Sequence, residues 1–318
     1  MADLLTVVGA TFAVADSHEV AQQRGASMPA RRPGSELLKL VLAIALACST
    51  IVSAEAQHAS SPSTLPAADN NGQDFTRPEN LLQIRNLYQT APGSGSVPGT
   101  LRTVTTDMTI LRADGIIALT QQWSIALRGD LPFVIRDPLT ADNPAGQYVS
   151  GLGDADVQAA LIRQFDSRWA AGAGLRFVAP TGAEDITGGK WRALPVAGAR
   201  YSLPEWSTGS YAEALLRYDV SFAGDPSRRN VSNLQLAPML NINLPDRWFL
   251  TLYPNTEIRI NYGDPIPGQT GRLFLPVDVM VGRNLLKDVT LSLELSVPVI
   301  KEYPVYNFRT VSRINMRF

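Results

Sequence analysis

The carboxy-terminal stretch YNFRTVSRINMRF, residues 306–318, alternates without a break. In an extended chain Tyr306, Phe308, Thr310, Ser312, Ile314, Met316 and Phe318 share one side. Asn307, Arg309, Val311, Arg313, Asn315 and Arg317 share the other. Arginines set against an apolar face suit the wall of a membrane barrel, wet inside and oily outside. One such strand decides little, but the pattern recurs along most of the chain.

Upstream of it the chain divides into roughly twelve alternating segments, each near the length a tilted membrane strand needs. They run over 81–90, 103–113, 121–135, 152–165, 168–180, 189–203, 210–223, 231–245, 247–261, 271–284, 287–300 and 305–318. In 287–300, Val289, Leu291, Leu293, Leu295, Val297 and Val299 oppose Thr290, Ser292, Glu294 and Ser296. In 231–245, Leu234, Leu236, Leu240, Ile242 and Leu244 oppose Asn233, Gln235, Asn241 and Asn243. The predicted fold is all-β, a transmembrane antiparallel β-barrel of about twelve strands over residues 81–318.

Two further patterns agree with a barrel and not with a soluble sandwich. Links at 91–102, 136–151, 181–188, 224–230, 262–270 and 301–304 are mostly longer than those at 166–167, 204–209, 246 and 285–286. Long outer loops and tight periplasmic turns give that rhythm, with both termini periplasmic; the 114–120 link departs from it. Oily-face aromatics also sort into belts, as amphipathic rings do at membrane–water interfaces. Trp123, Phe165, Trp169, Tyr201, Trp248 and Phe318 fall at periplasmic strand ends, and Phe133, Phe177, Trp191, Phe222, Tyr306 and Phe308 toward outer ends.

The amino-terminal third carries export information. Arg31, Arg32 and Lys39 flank an apolar run from Leu40 to Ala47, and Val52-Ser53-Ala54 supplies small residues for cleavage, with a second cut available after Ala56. That is the anatomy of a Sec signal peptide over 28–56, and it makes 1–27 an upstream extension from a mis-assigned start. Ala45-Leu46-Ala47 before Cys48 matches a lipidation signal poorly. Residues 57–80, rich in Ser, Pro, Ala and Asn, read as a flexible periplasmic lead, too short for a folded plug. Cleavage after Ala56 leaves about 262 residues, enough for one large barrel. The outer membrane of a Gram-negative bacterium is the expected location. Its lipids and lipopolysaccharide are then the surroundings, and Phe318 resembles the terminal signal read by the outer-membrane assembly machinery.

Cys48 is the only cysteine and lies in the signal, so disulfides and thiolate metal sites are excluded from the mature chain. A formal net charge of −1 excludes a nucleic-acid binder driven by a basic field. Both histidines, His18 and His58, precede the barrel, which removes the usual base for serine or carboxylate hydrolysis. No catalytic residue and no cofactor is therefore assigned. Asp154 and Asp156, near Asp137 and Asp142, match no calcium loop and read better as solvated acids. Gly151, Gly153, Gly172 and Gly174 lack the strand–loop–helix setting of a phosphate loop and read as bend points.

What remains is the lumen. Its candidate lining residues are Arg85, Arg176, Arg200, Glu213, Arg217, Asp219, Glu257, Arg259, Asp278, Glu294, Arg309 and Arg313, with Arg128, Arg192, Arg317, Asp154 and Asp156 on the same faces. Simple hairpin registers set Arg200 against Glu213 and Asp278 against Glu294, and the closing strands bring Arg309 and Arg313 beside Arg85. Such charges form either a constriction that orients polar permeants or a salt-bridge network bracing the wall.

Leu131-Pro132, Gly151-Leu152-Gly153-Asp154, Pro180-Thr181-Gly182, the strand from Trp191 to Pro195 and Val281-Gly282-Arg283 carry a resemblance. Over about Arg102 to Phe318 the chain resembles the family of outer-membrane transporters linked to the meta-pathway of phenol degradation. The resemblance implies a barrel channel for small molecules, with hydrophobic or aromatic compounds as permeants, and carries no residue-level binding motif. The alternative from another class is a closed barrel with a structural or surface-interaction role. A barrel enzyme using carboxylates alone comes last.

Overall fold

The computed structural model describes residues 71–94, 101–138, 143, 145–255 and 257–318. The signal peptide, the upstream extension and most of the lead expected from the sequence lie outside the described residues.

Alternation produces strands along nearly all of the rest. In chain order they are β1 (Leu81–Ser94), β2 (Leu101–Ala118), β3 (Trp123–Arg136), β4 (Val149–Leu152), β5 (Asp156–Gln164), β6 (Trp169–Val178) and β7 (Lys190–Ser202). There follow β8 (Tyr211–Gly224), β9 (Ser232–Asn243), β10 (Trp248–Leu252), β11 (Ile258–Asn261), β12 (Leu273–Asn284), β13 (Val289–Lys301) and β14 (Phe308–Arg317). Every pairing is antiparallel. Segments β4 and β5 both pair with β3, and β10 and β11 both lie between β9 and β12, so each couple makes one barrel strand. The sheet closes where β1 pairs with β14, from Leu81 opposite Arg317 to Thr90 opposite Phe308. The result is a closed barrel of twelve strands. Closure leaves no sheet edge with unpaired backbone groups, the condition for a sheet to cross lipid.

The alternation is sorted by side, with the polar set inside. On β14 Arg309, Val311, Arg313 and Asn315 are buried in the barrel, while Phe308, Ile314, Met316 and Phe318 are exposed on its outside. On β13 Leu291, Leu293, Leu295, Val297 and Val299 face out, and Thr290, Glu294 and Ser296 are buried. A protein in water would show the reverse. An arginine at Leu293, 52% exposed on the lipid side, is therefore expected to cost about 2–4 kcal/mol near mid-depth. The same change at neighbouring Ser292 should cost much less, a difference that a refolding titration would read directly.

Both aromatic belts form. Phe165, Trp169, Trp248 and Phe318 are exposed at the periplasmic rim, and Phe133, Phe177, Trp191, Phe222 and Phe308 toward the outer rim. Tyr306 is the exception. It is buried inside, donating or accepting a 2.6 Å hydrogen bond with Ser296 and meeting the Phe274 ring edge-on at 4.7 Å. It precedes β14, so the strand's parity does not govern it.

Turns follow the expected rhythm better than the sequence segments did. β2 runs to Ala118 and β3 begins at Trp123, which leaves a tight turn where 114–120 had looked like a long link. At the β5–β6 turn the backbone N–H groups of Trp169 and Arg168 donate to Asp166 Oδ1 at 2.7 Å each and hold its carboxyl below the usual carboxylate range. Asp154, set between β4 and β5, accepts from Gly182 N, Gly188 N and Thr187 Oγ1 at 3.1, 2.8 and 2.5 Å. Its oxygens organise the neighbouring loop, and the solvated acid expected there is instead a loop anchor.

The lead departs most from expectation. Residues 71–80 do not hang free in the periplasm but lie inside the inner end of the barrel. Asn71, Asp74 and Thr76 are buried. Their polar groups match those on the inner wall, and enclosure removes the competing water, so a segment without apolar period is fixed there.

Candidate functional site

The lumen has three zones. At the outer end Phe274, Tyr303 and Tyr306 form a buried aromatic cluster, joined by Ile266 and Val305. The Arg309 guanidinium carbon stands 4.0 Å from the Tyr306 ring centroid, a cation–π contact strengthened by exclusion of water.

The middle zone is a belt of ion pairs. Arg112 grips Asp130 through two hydrogen bonds of 2.6 Å, and Arg128 grips Asp114 at 2.6 and 2.8 Å. Planar guanidinium matches carboxylate in this two-point geometry. These pairs join residues directly opposite on β2 and β3. Arg176 lies 3.4 Å from Asp156, and Arg192 2.7 Å from Asp219. On the far side the β10–β11 interruption, where Tyr253 takes φ +50°, turns Asn255 and Glu257 inward. Glu257 pairs with Arg309, and with Arg259 at 3.3 Å. Glu294 pairs with Arg313 and also accepts from Asn255 Nδ2 at 2.9 and 2.8 Å.

The predicted registers hold in part. Arg200 does face Glu213, and Arg313 does face Arg85. Arg309 faces Gln89 instead, and accordingly donates to its side-chain oxygen at 3.0 and 2.9 Å. Asp278 faces Ser296, while Glu294 faces Met280, because the hairpin pairs Asn284 with Thr290 and so turns over more residues than the two at 285–286. Asp278 is thus diagonal to Glu294. It is buried, and neither of its oxygens has a hydrogen-bond partner among the described residues. Arg85 Nε donates to Gln83 Oε1 at 3.0 Å. Arg217 shares the inner face of β8 with Glu213 and Asp219, opposite Gln235 of β9. The acidic wall and basic ladder expected as neighbours are interlocked: Arg309 and Arg313 are bonded to Glu257 and Glu294.

Arg112, Asp114 and Asp130 were missing from the sequence-based set. Their signal was present, since Arg112 and Asp130 fall within the predicted segments 103–113 and 121–135, and Asp114 continues the alternation of β2 one residue further.

The inner zone is closed by residues 71–80. Asn71 Nδ2 donates to Asn241 Oδ1 at 2.7 Å and to Thr251 Oγ1 at 3.2 Å. Asp74 pairs with Arg200 Nε at 2.9 Å, and Phe75 N donates to Glu213 Oε2 at 3.2 Å. Gln164 Nε2 reaches the Thr76 carbonyl at 2.8 Å, and Glu79 pairs with Arg317 at 2.7 Å. The wall facing this segment is cut back to small residues. Ala160, Ala170, Gly172, Gly174, Gly198 and Ala237 occupy inward positions of β5, β6, β7 and β9. Nothing in the sequence of 57–80 announces a fit to a wall assembled from four distant strands.

The sequence profile described as "Putative MetA-pathway of phenol degradation" matches residues 88–253, just over half of the chain. The chain belongs to this family. Among solved structures, the phenol-pathway family barrel is similar to the COG4313 outer membrane channel from Pseudomonas putida F1. The identity is 17% and the TM-score 0.60, over 80% of this chain and 100% of that one. That likeness concerns the fold. Lower similarity is found to the translocator domain of the autotransporter NalP from Neisseria meningitidis, with 13% identity and a TM-score of 0.44 over 85% of this chain and 98% of that one. The toluene transporter TbuX from Ralstonia pickettii gives 9% identity and a TM-score of 0.42, over 82% and 95%. No curated protein matches the sequence significantly. An outer-membrane barrel of this family resides in the outer membrane of a Gram-negative bacterium, with lipid against its apolar surface.

Proposed function

We propose that the phenol-pathway family barrel is a passive channel for small molecules across the outer membrane, with hydrophobic or aromatic compounds among its permeants. The observation that carries this reading is the lumen wall: fixed charges face inward around the barrel, beside a stripe of Ala and Gly that leaves room for chain or solute. The P. putida barrel of the same fold is an outer membrane channel, and the family's link to phenol degradation is the reason aromatic compounds are named. The barrel offers no histidine to act as a general base, which speaks against an enzyme. A closed scaffold is the second reading, favoured by the ion-pair belt and by residues 71–80 within the lumen.

Reversal potential across a salt gradient in a planar bilayer tests the proposal. Arg309→Ala with Arg313→Ala leaves Glu294 without its cation and Glu257 with Arg259 alone, and selectivity is expected to move toward cations. Asp278→Asn with Glu294→Gln should move it toward anions. A wild-type barrel that inserts yet never conducts would establish the scaffold instead.

A further inference from the structure

The inner end of the lumen contains a notch fitted to two chemical groups at once. Gly172 and Gly198 face each other across β6 and β7. A Cβ on Gly172 would stand 3.1 Å from the Phe75 ring, and one on Gly198 would stand 3.0 Å from it. These glycines make a slot as deep as the backbone allows. Val196, Leu215 and Ala237 complete its apolar lining. Two residues nearer the periplasm on β7 is Arg200, only 2% exposed, with Nε 2.9 Å from Asp74 and its guanidinium carbon 5.4 Å from the Tyr211 ring centroid. An aromatic slot and an anion-binding guanidinium thus adjoin.

The wall is also prepared for the segment to leave. Arg200 and Glu213 are cross-strand partners, yet each is bonded to the segment. Arg200 pairs with Asp74, and Glu213 accepts the Phe75 N–H. If the segment withdraws, Arg200 and Glu213 can pair with each other, so neither is left as a buried charge without a partner. Loss of such a partner ordinarily costs about 3–5 kcal/mol, and this arrangement avoids it. Two alternative pairings of the same charges are what a two-state element requires.

We propose that this notch is a permeant subsite for an arene bearing a carboxylate, and that Asp74 and Phe75 occupy it in cis until such a permeant displaces them. The inference deepens the channel reading and rests on it. A ring alone replaces only the Phe75 contact, and an anion alone only the Asp74 contact. A molecule with both replaces both. Because the segment is tethered, it competes at an effective concentration of about millimolar order, which weakens the apparent affinity of any permeant for the notch.

Calorimetry on the full-length protein in detergent, with benzoate, phenol and acetate as probes, tests the subsite independently of conduction. Asp74→Ala with Phe75→Ala vacates the notch, and benzoate should then bind at least about tenfold more tightly than to wild type, through loss of the tethered competitor. Phenol and acetate should bind more weakly than benzoate. Adding Arg200→Gln should abolish the preference for benzoate over phenol. Equal affinity for benzoate and acetate, or no gain over wild type, overturns the proposal. A second readout needs no vacated variant: a nitroxide on Gln73→Cys, in a Cys48→Ser background, should gain mobility with benzoate and not with acetate. An unchanged spectrum overturns it equally. Binding without bilayer conductance would remove the channel reading alone, and conductance without selective binding would remove the subsite alone.

Discussion

Glu294→Ala is expected to destabilise the barrel by about 3–5 kcal/mol, because it strands a buried guanidinium. The side chains of Glu294 and Arg313 are both 0% exposed. Arg313 otherwise touches Met280 Sδ at 3.0 Å and stands opposite Arg85, a like charge. Asn255 Nδ2, which donates to both Glu294 oxygens, would also lose its acceptors. Replacing both partners by apolar residues of similar size, Glu294→Leu with Arg313→Met, should recover most of the loss, since neither charge then needs solvation. Urea titrations of refolding in vesicles read both values. The result also bears on function. An exposed pair contributes only about 0–1 kcal/mol, so a cost in that range for Glu294→Ala would mean water reaches this depth of the lumen.

The second large effect is expected at Gly282, where backbone and ring approach too closely for any side chain. Gly282 on β12 lies opposite Phe249 on β10. A Cβ there would fall 2.2 Å from Phe249 Cζ and 2.7 Å from the Leu291 carbonyl oxygen. Phe249 is buried and cannot swing aside, and the carbonyl belongs to the neighbouring strand's backbone. Overpacking of this kind costs about 1–3 kcal/mol, and Gly282→Ala should lie at the upper end. In a Phe249→Ala background the same substitution should cost less, leaving only the strain against Leu291. Gly115→Ala serves as the comparison, since its Cβ would meet only Asn80 Oδ1 at 4.0 Å. Midpoints of urea unfolding decide the matter, with the double variant read against Phe249→Ala, and equal midpoints for Gly282→Ala and Gly115→Ala would refute the close approach.

The two expectations differ in how much of their basis was visible before folding. Glu294 and Arg313 could be assigned to the inner face from period-two alternation alone. Their partnership could not, because it depends on how β13 and β14 are set against each other. That register puts Arg313 opposite Ser292, one step along the inner face from Glu294, while the β12–β13 hairpin, pairing Asn284 with Thr290, sets Asp278 opposite Ser296 and not Glu294. Tyr306 shows the same limit, since one position outside a strand escapes its parity. The Phe249–Gly282 contact was hidden altogether, as glycine carries no pattern of its own.

By itself the sequence determined the class of this protein. Period-two alternation with charge on one face and aromatics banded on the other is a local property, readable because each residue's side follows from its neighbours. It indicated as well that one face would carry charge, with residues from Arg85 to Arg313 sharing its parity, though Arg112, Asp114 and Asp130 went unassigned. Only the tertiary structure decided how those charges are shared, because each of twelve strands can slide against the next and a slip of two residues keeps every side chain on its face while changing its partner. Only the tertiary structure, too, brought Asp74 and Phe75 to Arg200, Gly172 and Gly198. That contact joins a patternless segment to three positions far along the chain, and no local periodicity encodes a fit that exists only once the barrel has closed.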